Sequence, residues 1–445
     1  MLVEDGRKDT VDERSNNGTL GPPTLRQSLR SLLSWSNYRV YLVTSWVFSA
    51  FSVTDSLISL YLYQMNWEPL LIGSVFSMVA FMAAGTRLLG GYLGDVTDRK
   101  RLAVISFGMV GAYYMIMGLF TEVTFIIIAL MIYSIVDLAK GGSSAYILDN
   151  IPRAHSGLGL SLFQAGKVFA IVPLVMIWSL VQSNPFPPSY RATIVLGGVA
   201  MLVCAFIRAR FLSSSTIDDV ERSTSLRYFL SANARAVRVL AVTMPGVLVV
   251  VVLDAISDSL FHFGALIYSS NYVNMSGIML TVMTPVVISV PLLLKTGRAS
   301  DKYSTRRVGL AIYSMMPVSV LLLMLSSVVS HWMPMSVVSQ ADILLPGLGA
   351  IFALPFLGIV LKQVNDSLWW LVILTMVQKS LPRRDTSKIL AVFWFLVYVC
   401  SSIGPFIGGM IYTFRPQVYL FVLVLALNLI ILLIIWGFGL LKDKL

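Results

Sequence analysis

Cysteine is almost absent. Only Cys204 and Cys400 occur in 445 residues, which excludes a disulfide scaffold and a four-thiolate metal site. Charge is scarce too: Asp, Glu, Lys and Arg make up 12% of the chain against a soluble norm near ~25%. With 57% hydrophobic residues and a mean hydropathy of +0.80, a water-soluble globule of several domains does not fit. Histidine occurs three times and never as His-Glu-x-x-His, the helix of an intramembrane metalloprotease. Residues 1–38 lack the unbroken apolar core of a secretory signal. They are charged and rich in Asn, Gly and Ser, so a disordered tail with an amphipathic approach to the membrane is expected there.

What the chain does have is apolar runs, each near the ~20 residues that cross hydrocarbon as a helix. They fall at 40–64, 70–92, 102–120, 124–148, 157–181, 191–211, 239–267, 276–296, 307–329, 345–377, 388–413 and 416–441, which predicts twelve spans. The tenth run is too long for one straight span, and Pro346 and Pro355 within it predict a kink or an extra surface turn.

The cations sort by side. Outside the spans, nearly every Lys and Arg lies in the N-terminal tail, in the connections after even-numbered spans, or at the C-terminal end. The other connections hold only Arg191 and Arg415, while Arg87, Lys140, Lys167 and Lys362 fall inside spans. This asymmetry predicts a multi-pass protein of the plasma membrane with both termini cytoplasmic. The excess of 33 Lys+Arg over 22 Asp+Glu is thus a topology signal, and nucleic acid is not an expected partner.

A polar connection at 212–238 divides the spans into six and six. It sets a first bundle at 39–211 and a second at 239–445, with a short cytoplasmic tail. Features recur across the division: Asp55-Ser56-Leu57 in the first span answers Asp258-Ser259-Leu260 in the seventh. The loop after the second span, Gly91-Tyr92-Leu93-Gly94-Asp95-Val96-Thr97-Asp98-Arg99-Lys100-Arg101, answers Gly297-Arg298-Ala299-Ser300-Asp301-Lys302-Tyr303-Ser304-Thr305-Arg306-Arg307 after the eighth. Two repeated six-helix halves follow.

The doubled loop resembles the signature of the major facilitator superfamily, over residues 40 to 441. The resemblance implies an all-α polytopic fold: twelve transmembrane helices in two pseudo-symmetric six-helix bundles around a central cavity, with a solute moved by alternating access. It also implies gating roles for Gly91, Gly94, Asp95, Arg99, Lys100 and Arg101, and for Gly297, Asp301, Arg306 and Arg307. On physical grounds Asp95 suits a positive helix N-terminus, and the cations suit carboxylates across the gap between halves. The plainer reading is that the cations only enforce topology and touch headgroups.

Charges inside spans are costly and point to function. Asp254, Asp258 and His262 are four residues apart each, so they share one helical stripe. With Asp55 as the counterpart of Asp258, these are the proton-coupling candidates; the alternative for a carboxylate is a fixed hydrogen bond between helices. The stripe also has the donor types of a zinc or manganese site, but no second His is near, and no resident metal or cofactor is expected. Asp137 with Lys140, and Lys362 with Asp366, sit at spacings that let each pair neutralise itself. Those four, with Lys167 and Gln164, are the substrate-binding candidates; Asp137 is the alternative partner for Lys167, and Arg87 is expected to snorkel or to meet Asp149.

Gly404-Pro405-Phe406-Ile407-Gly408-Gly409 resembles an element that drug antiporters of the family carry in the fifth span, where this chain instead has Ala165-Gly166-Lys167 and Pro173. The sequence therefore predicts a proton-coupled secondary transporter of a small organic solute, not an enzyme, acting as a monomer in the bilayer. Efflux of hydrophobic compounds by proton antiport is the alternative within the class. A non-transporting sensor and an intramembrane metal-dependent enzyme are the alternatives outside it.

Overall fold

The computed structural model describes residues 25–149, 162–163, 165–214, 226–243, 245–302, 305–380 and 386–438. Among them the regular elements are helices, and the one strand-like contact is an isolated bridge between His331 and Ala353. Ten helices are long and apolar enough to cross a membrane. Two shorter apolar helices, Val123–Ala139 and Gly166–Leu180, stand where the fourth and fifth spans are expected. In order, the first six spans are Ser36–Gln64, Pro69–Val96, Arg99–Leu119, Val123–Asp149, Gly166–Leu180 and Phe186–Phe211. The second six are Pro245–Ser269, Met275–Lys302, Thr305–Leu325, Leu354–Ser380, Thr386–Phe414 and Val418–Phe438.

Several spans are broken, and three of the breaks hold hydroxyl side chains that bond back to helical carbonyls. The first span changes from α-helix to a 3-10 turn over Ser52–Leu57 and resumes at Ile58. There Ser52, Thr54 and Ser56 donate to the carbonyls of Ser49, Phe51 and Val53, competing with the helix's own ladder. The ninth span is interrupted at Ser314 and the eleventh at Ser402, each bonding a carbonyl three residues back. Asp55 lies inside the first of these breaks, where a side chain can leave the regular helical stripe.

Three shorter helices depart from the sequence reading. Leu25–Ser34 is helical within the segment expected to be a disordered tail, and its Leu32 is buried beside Tyr38 and Leu42. Leu226–Thr243 is a helix inside the supposed polar connection, so the seventh span begins at Pro245 and not near 239. It buries Ala236 and Leu240, one turn apart, and leaves Arg235 and Arg238 exposed, as an interfacial helix does. A helix Met335–Leu344 lies in the connection before the long tenth run, and the run itself resolves into a turn with Gly347 at φ 87°, a 3-10 turn Leu348–Phe352, and a span that starts at Leu354. The extra surface turn is realised.

Within the first bundle the third and sixth spans pack closely, and two arginines of the sixth fix its ends. Arg191, one of the two cations on the sparsely charged side, donates through Nε to the Gly118 carbonyl (2.8 Å) and through Nη2 to that of Leu119 (3.0 Å). It caps the negative end of the third span. Arg208 is 0% exposed. It donates to Thr44 Oγ1 (2.9 Å), Ser45 Oγ (2.8 Å) and the Ala103 carbonyl (3.2 Å), with its guanidinium 3.6 Å from the Phe107 ring centre and 4.2 Å from that of Tyr41. Arg208→Leu is expected to destabilise the protein by about 3 kcal/mol, since it strips three hydrogen bonds and two desolvated cation–π contacts. Reversible unfolding in mixed micelles measures it; a loss below about 1 kcal/mol would show the arginine to be energetically idle.

The halves meet directly at the arginine-poor end. The second and eleventh spans approach so closely that a Cβ on Gly73 would lie 2.2 Å from the Pro405 carbonyl oxygen, and one on Gly409 2.6 Å from that of Pro69. Nearby, Gln182 donates to Ser276 Oγ (2.9 Å) between the fifth and eighth spans, and Trp178 Nε1 to the Pro346 carbonyl (3.1 Å). A Cβ on Gly404 would strike Ser259 of the seventh span. The Gly-Pro-x-x-Gly-Gly element therefore serves tight packing against two neighbouring spans.

Candidate functional site

Asp55 sits where the broken first span faces the third and fourth. Tyr113 and Tyr114 donate to its Oδ1 (3.2 and 3.3 Å) and Tyr133 to its Oδ2 (3.0 Å). The Tyr113 ring packs on those of Tyr114 and Tyr133, centres 4.9 and 4.7 Å apart, which fixes where the hydroxyls point. Asp55 lines a cavity of about 260 Å³ with Phe76, Tyr133, Asp137 and, from the eleventh span, Tyr398. Both halves contribute to its wall.

At the edge of this cavity Arg87 joins the halves. Its Nη1 lies 3.6 Å from Asp137 Oδ2 on the fourth span and donates to Tyr398 Oη at 3.1 Å. The guanidinium also rests 5.3 and 5.2 Å from the ring centres of Trp394 and Tyr398, and Trp394 stacks on Trp370. Arg87 thus pairs with Asp137; the side chain of Asp149, its expected partner, lies outside the described residues. Lys167, the other expected partner of Asp137, is exposed and meets no carboxylate among the described residues.

In the second half the stripe on the seventh span meets the tenth. Lys362, 1% exposed, donates to Asp258 Oδ1 at 2.8 Å and to Asp366 on its own helix, and its ammonium lies 5.1 Å from the Phe261 ring centre. His262 Nε2 is 3.5 Å from Asp258 Oδ1, and its ring is partly exposed. One turn below, Asp254 is held apart: it accepts from Tyr313 Oη and Trp369 Nε1, both at 2.9 Å. Tyr313 Oη also lies 3.2 Å from Asn428 Oδ1, which accepts from Ser257 Oγ at 2.8 Å. Asp254 thus has the fixed inter-helix hydrogen bonds that were the plainer reading for a carboxylate in a span. Lys362 and Asp366 do pair, but the pair is not closed on itself, because Asp258 shares the lysine.

Ligand atoms of Asp258, His262 and Asp366 lie within 4.8 Å of one another, a set that a divalent metal could use. The Lys362 ammonium already occupies that space as a tethered cation, which opposes a second one.

The remaining candidates are placed less fully. Gln164 lies outside the described residues, as do the side chains of Lys140, Asp95, Asp301 and Arg306. Gly91, Gly94 and Asp95 stand in the last turns of the second span, and Gly297 and Asp301 in those of the eighth. It is Asp98 that caps the third span, accepting from the Lys100 backbone N–H at 3.0 Å. Lys100 and Arg101 line a shallow surface groove with Val104, Ile105 and Ala209. Arg99 opens the third span and Arg307 is exposed near the start of the ninth.

The sequence reading missed Tyr113, Tyr114, Tyr133, Tyr313, Tyr398 and Asn428. A signal existed: tyrosine belongs at membrane interfaces, so one in mid-span implies a buried polar partner for its hydroxyl.

The sequence matches the family model of the Major Facilitator Superfamily over residues 40–368. The chain belongs to the major facilitator superfamily. It is a membrane transporter and not an enzyme. No curated relative matches the sequence. Among solved structures, the nucleoside transporter NupG superposes with a TM-score of 0.63 at 11% identity, covering 92% of this chain and 98% of that one. A POT family transporter in complex with a thioalcohol-conjugated peptide gives 0.70 at 10%, covering 90% and 95%. A D-xylose-proton symporter gives 0.58 at 15%, covering 93% and 98%. At such identities the likeness is one of fold.

Proposed function

We propose that this transporter is a proton-coupled secondary carrier of a small organic solute, working by alternating access, with Asp258 as the group that binds the coupling proton. The observation that carries the reading is the sharing of Lys362. Its bond to Asp258 ties the seventh span to the tenth, whereas its bond to Asp366 stays within the tenth. A proton on Asp258 removes the negative charge that holds the lysine, which Asp366 then retains, and the two spans are released from each other. The groups facing Asp258 are Lys362, His262 and Asp366, with Asp254 a turn away on its own helix. Asp258 and Asp366 share one lysine, with Asp254 a turn away, an excess of negative charge in a low-dielectric site that a proton relieves.

The expected orientation, with both termini cytoplasmic in the plasma membrane, is supported by the crowding of cations at the Arg99–Arg101 end and by the capping role of Arg191 at the other. Gating by the two glycine- and arginine-bearing loops, and action as a monomer, belong to the same reading.

A ligand that stabilises the purified protein in a thermal screen is the solute to load into proteoliposomes. Wild type is expected to accumulate it under an imposed pH gradient. Asp258→Asn is expected to lose at least tenfold of that accumulation while keeping solute exchange at equal pH. Undiminished accumulation by Asp258→Asn would remove Asp258 from the coupling.

A further inference from the structure

We infer that the connection between the ninth and tenth spans, residues 326–352, is seated in the bilayer at the arginine-poor end, with its outer apolar side chains among the acyl chains of that leaflet. Such seating does not depend on which solute or ion the protein carries.

Composition sets this connection apart. It contains no lysine, arginine or glutamate, and its titratable side chains are His331 and Asp342. Both are half-buried and bonded within the connection: Asp342 Oδ1 accepts from the Gly349 backbone N–H at 2.7 Å, and His331 Nδ1 lies 2.9 Å from Ser330 Oγ. What it presents outward is apolar. Val328, Ile343 and Leu344 are 81%, 83% and 81% exposed, and Trp332 and Met335 are exposed as well. Exposed apolar runs such as Val328–Val329 and Ile343–Leu345 mark contact with a membrane or with another protein.

The backbone prevents these side chains from turning inward. The Trp332 N–H donates to the Phe352 carbonyl (3.0 Å) and the Leu354 N–H to that of Ser330 (2.9 Å), which ties the two ends of the connection together. The helix Met335–Leu344 already buries Val338 and Ala341, and a Cβ on Gly349 would stand 2.8 Å from the Val338 side chain, so its inner face is full. A Cβ on Gly347 would lie 2.5 Å from the Gly277 backbone nitrogen, which pins the following turn to the eighth span.

Continuity with the preceding span says what covers the surface. Val318, Leu321 and Leu325 are exposed on the ninth span at steps of three and four residues, the stripe that a span turns to lipid. The helical path runs on to Val329, whose N–H donates to the Leu325 carbonyl at 2.9 Å, so Val328 extends the same stripe. Trp332 follows, its ring centre 5.3 Å from that of Phe352 and its Nε1 donating to the Ile351 carbonyl (3.3 Å), as suits an aromatic at the edge of hydrocarbon. The helix Leu226–Thr243 exposes Arg235 and Arg238; this connection has no such cation, so acyl chains and not anionic headgroups are its partner.

The test places one cysteine at a time in a full chain whose Cys204 and Cys400 are serine, labels it with bimane, and reconstitutes one chain per nanodisc. Val328→Cys and Ile343→Cys are compared with Phe206→Cys, exposed on the sixth span, and Ser214→Cys, exposed in the central connection. A thermal transition equal to that of the parent reports an intact fold. At both positions quenching by acyl-brominated lipid is expected to reach at least half of that at Phe206→Cys, and quenching by aqueous iodide to stay below a third of that at Ser214→Cys. The lipid quenching is expected to be equal in phosphatidylcholine and in its mixture with phosphatidylglycerol. Iodide quenching at either position as strong as at Ser214→Cys would place the connection in water and overturn the inference. Protection from both quenchers would mean that protein covers the surface and would overturn it too, as would lipid quenching that appears only with phosphatidylglycerol.

Discussion

Lys362→Met is expected to cost about 3–5 kcal/mol of stability, because it leaves two carboxylates, Asp366 buried and Asp258 partly buried, without their shared cation. The lysine is 1% exposed and bonds both Asp258 and Asp366. Methionine replaces its stem with similar volume, so little of the loss comes from packing. The charge explanation makes a further demand. Adding Asp258→Asn and Asp366→Asn to Lys362→Met removes the uncompensated charges and is expected to recover most of the stability, because a buried ion cluster is about as stable as a neutral replacement of its shape. Unfolding of the single and triple variants in mixed micelles decides the matter. A single variant that loses less than about 1 kcal/mol, or a triple variant no more stable than the single, would contradict the assignment of Lys362 as the cation that neutralises this cluster.

The reach of the sequence can be judged from this cluster. The stripe Asp254, Asp258, His262 follows from a spacing of four on a helix, and the Lys362–Asp366 pair follows in the same way; both are present in the structure. The bond from Lys362 to Asp258 joins residues 104 positions apart, and helical periodicity carries no information about which span lies against which. Likewise Arg87 of the second span stands beside Asp137 of the fourth, a neighbour that packing supplies and that spacing along one helix does not show. The division of labour between Asp254 and Asp258, one locked by Tyr313 and Trp369 and one beside an exposed histidine, depends on neighbours from the ninth and tenth spans.

The fold was more legible than the site because crossing hydrocarbon imposes length and apolarity on each helix separately. Twelve runs could therefore be read one at a time. Helices that lie along the surface escape that rule: Leu226–Thr243 has too many cations to read as a span and enough alternation of Ala236 and Leu240 with Arg235 and Arg238 to fold on the bundle. The break around Asp55 was written in Ser52, Thr54 and Ser56, whose hydroxyls compete for helical carbonyls, but its effect depends on the tyrosines that hold the displaced carboxylate. The cationic candidates were real residues of the spans, and none of those described lines the cavity.

Gly73→Val is expected to shift the protein at least tenfold away from the conformation in which the arginine-poor end is shut, with far less effect on unfolding. At this position a Cβ alone would stand 2.2 Å from the Pro405 carbonyl oxygen and 3.1 Å from the Gly409 Cα, both backbone atoms that no rotamer change can move aside. The second and eleventh spans must separate at the arginine-poor end. On the alternating-access reading proposed above, that separation is an available state, and the clash is relieved by changing population instead of by unfolding. The contact between Gln182 and Ser276 at the same end offers the readout. With Cys204 and Cys400 replaced by serine, the yield of a Gln182→Cys/Ser276→Cys cross-link is expected to fall at least fivefold in Gly73→Val and in Gly409→Val. Gly85→Ala, on the same span with nothing within 4 Å of its added Cβ, is expected to leave the yield unchanged. An undiminished cross-link in both valine variants would mean that the spans absorb the side chain locally, and that the Gly73–Pro405 approach does not set which end of the transporter is shut.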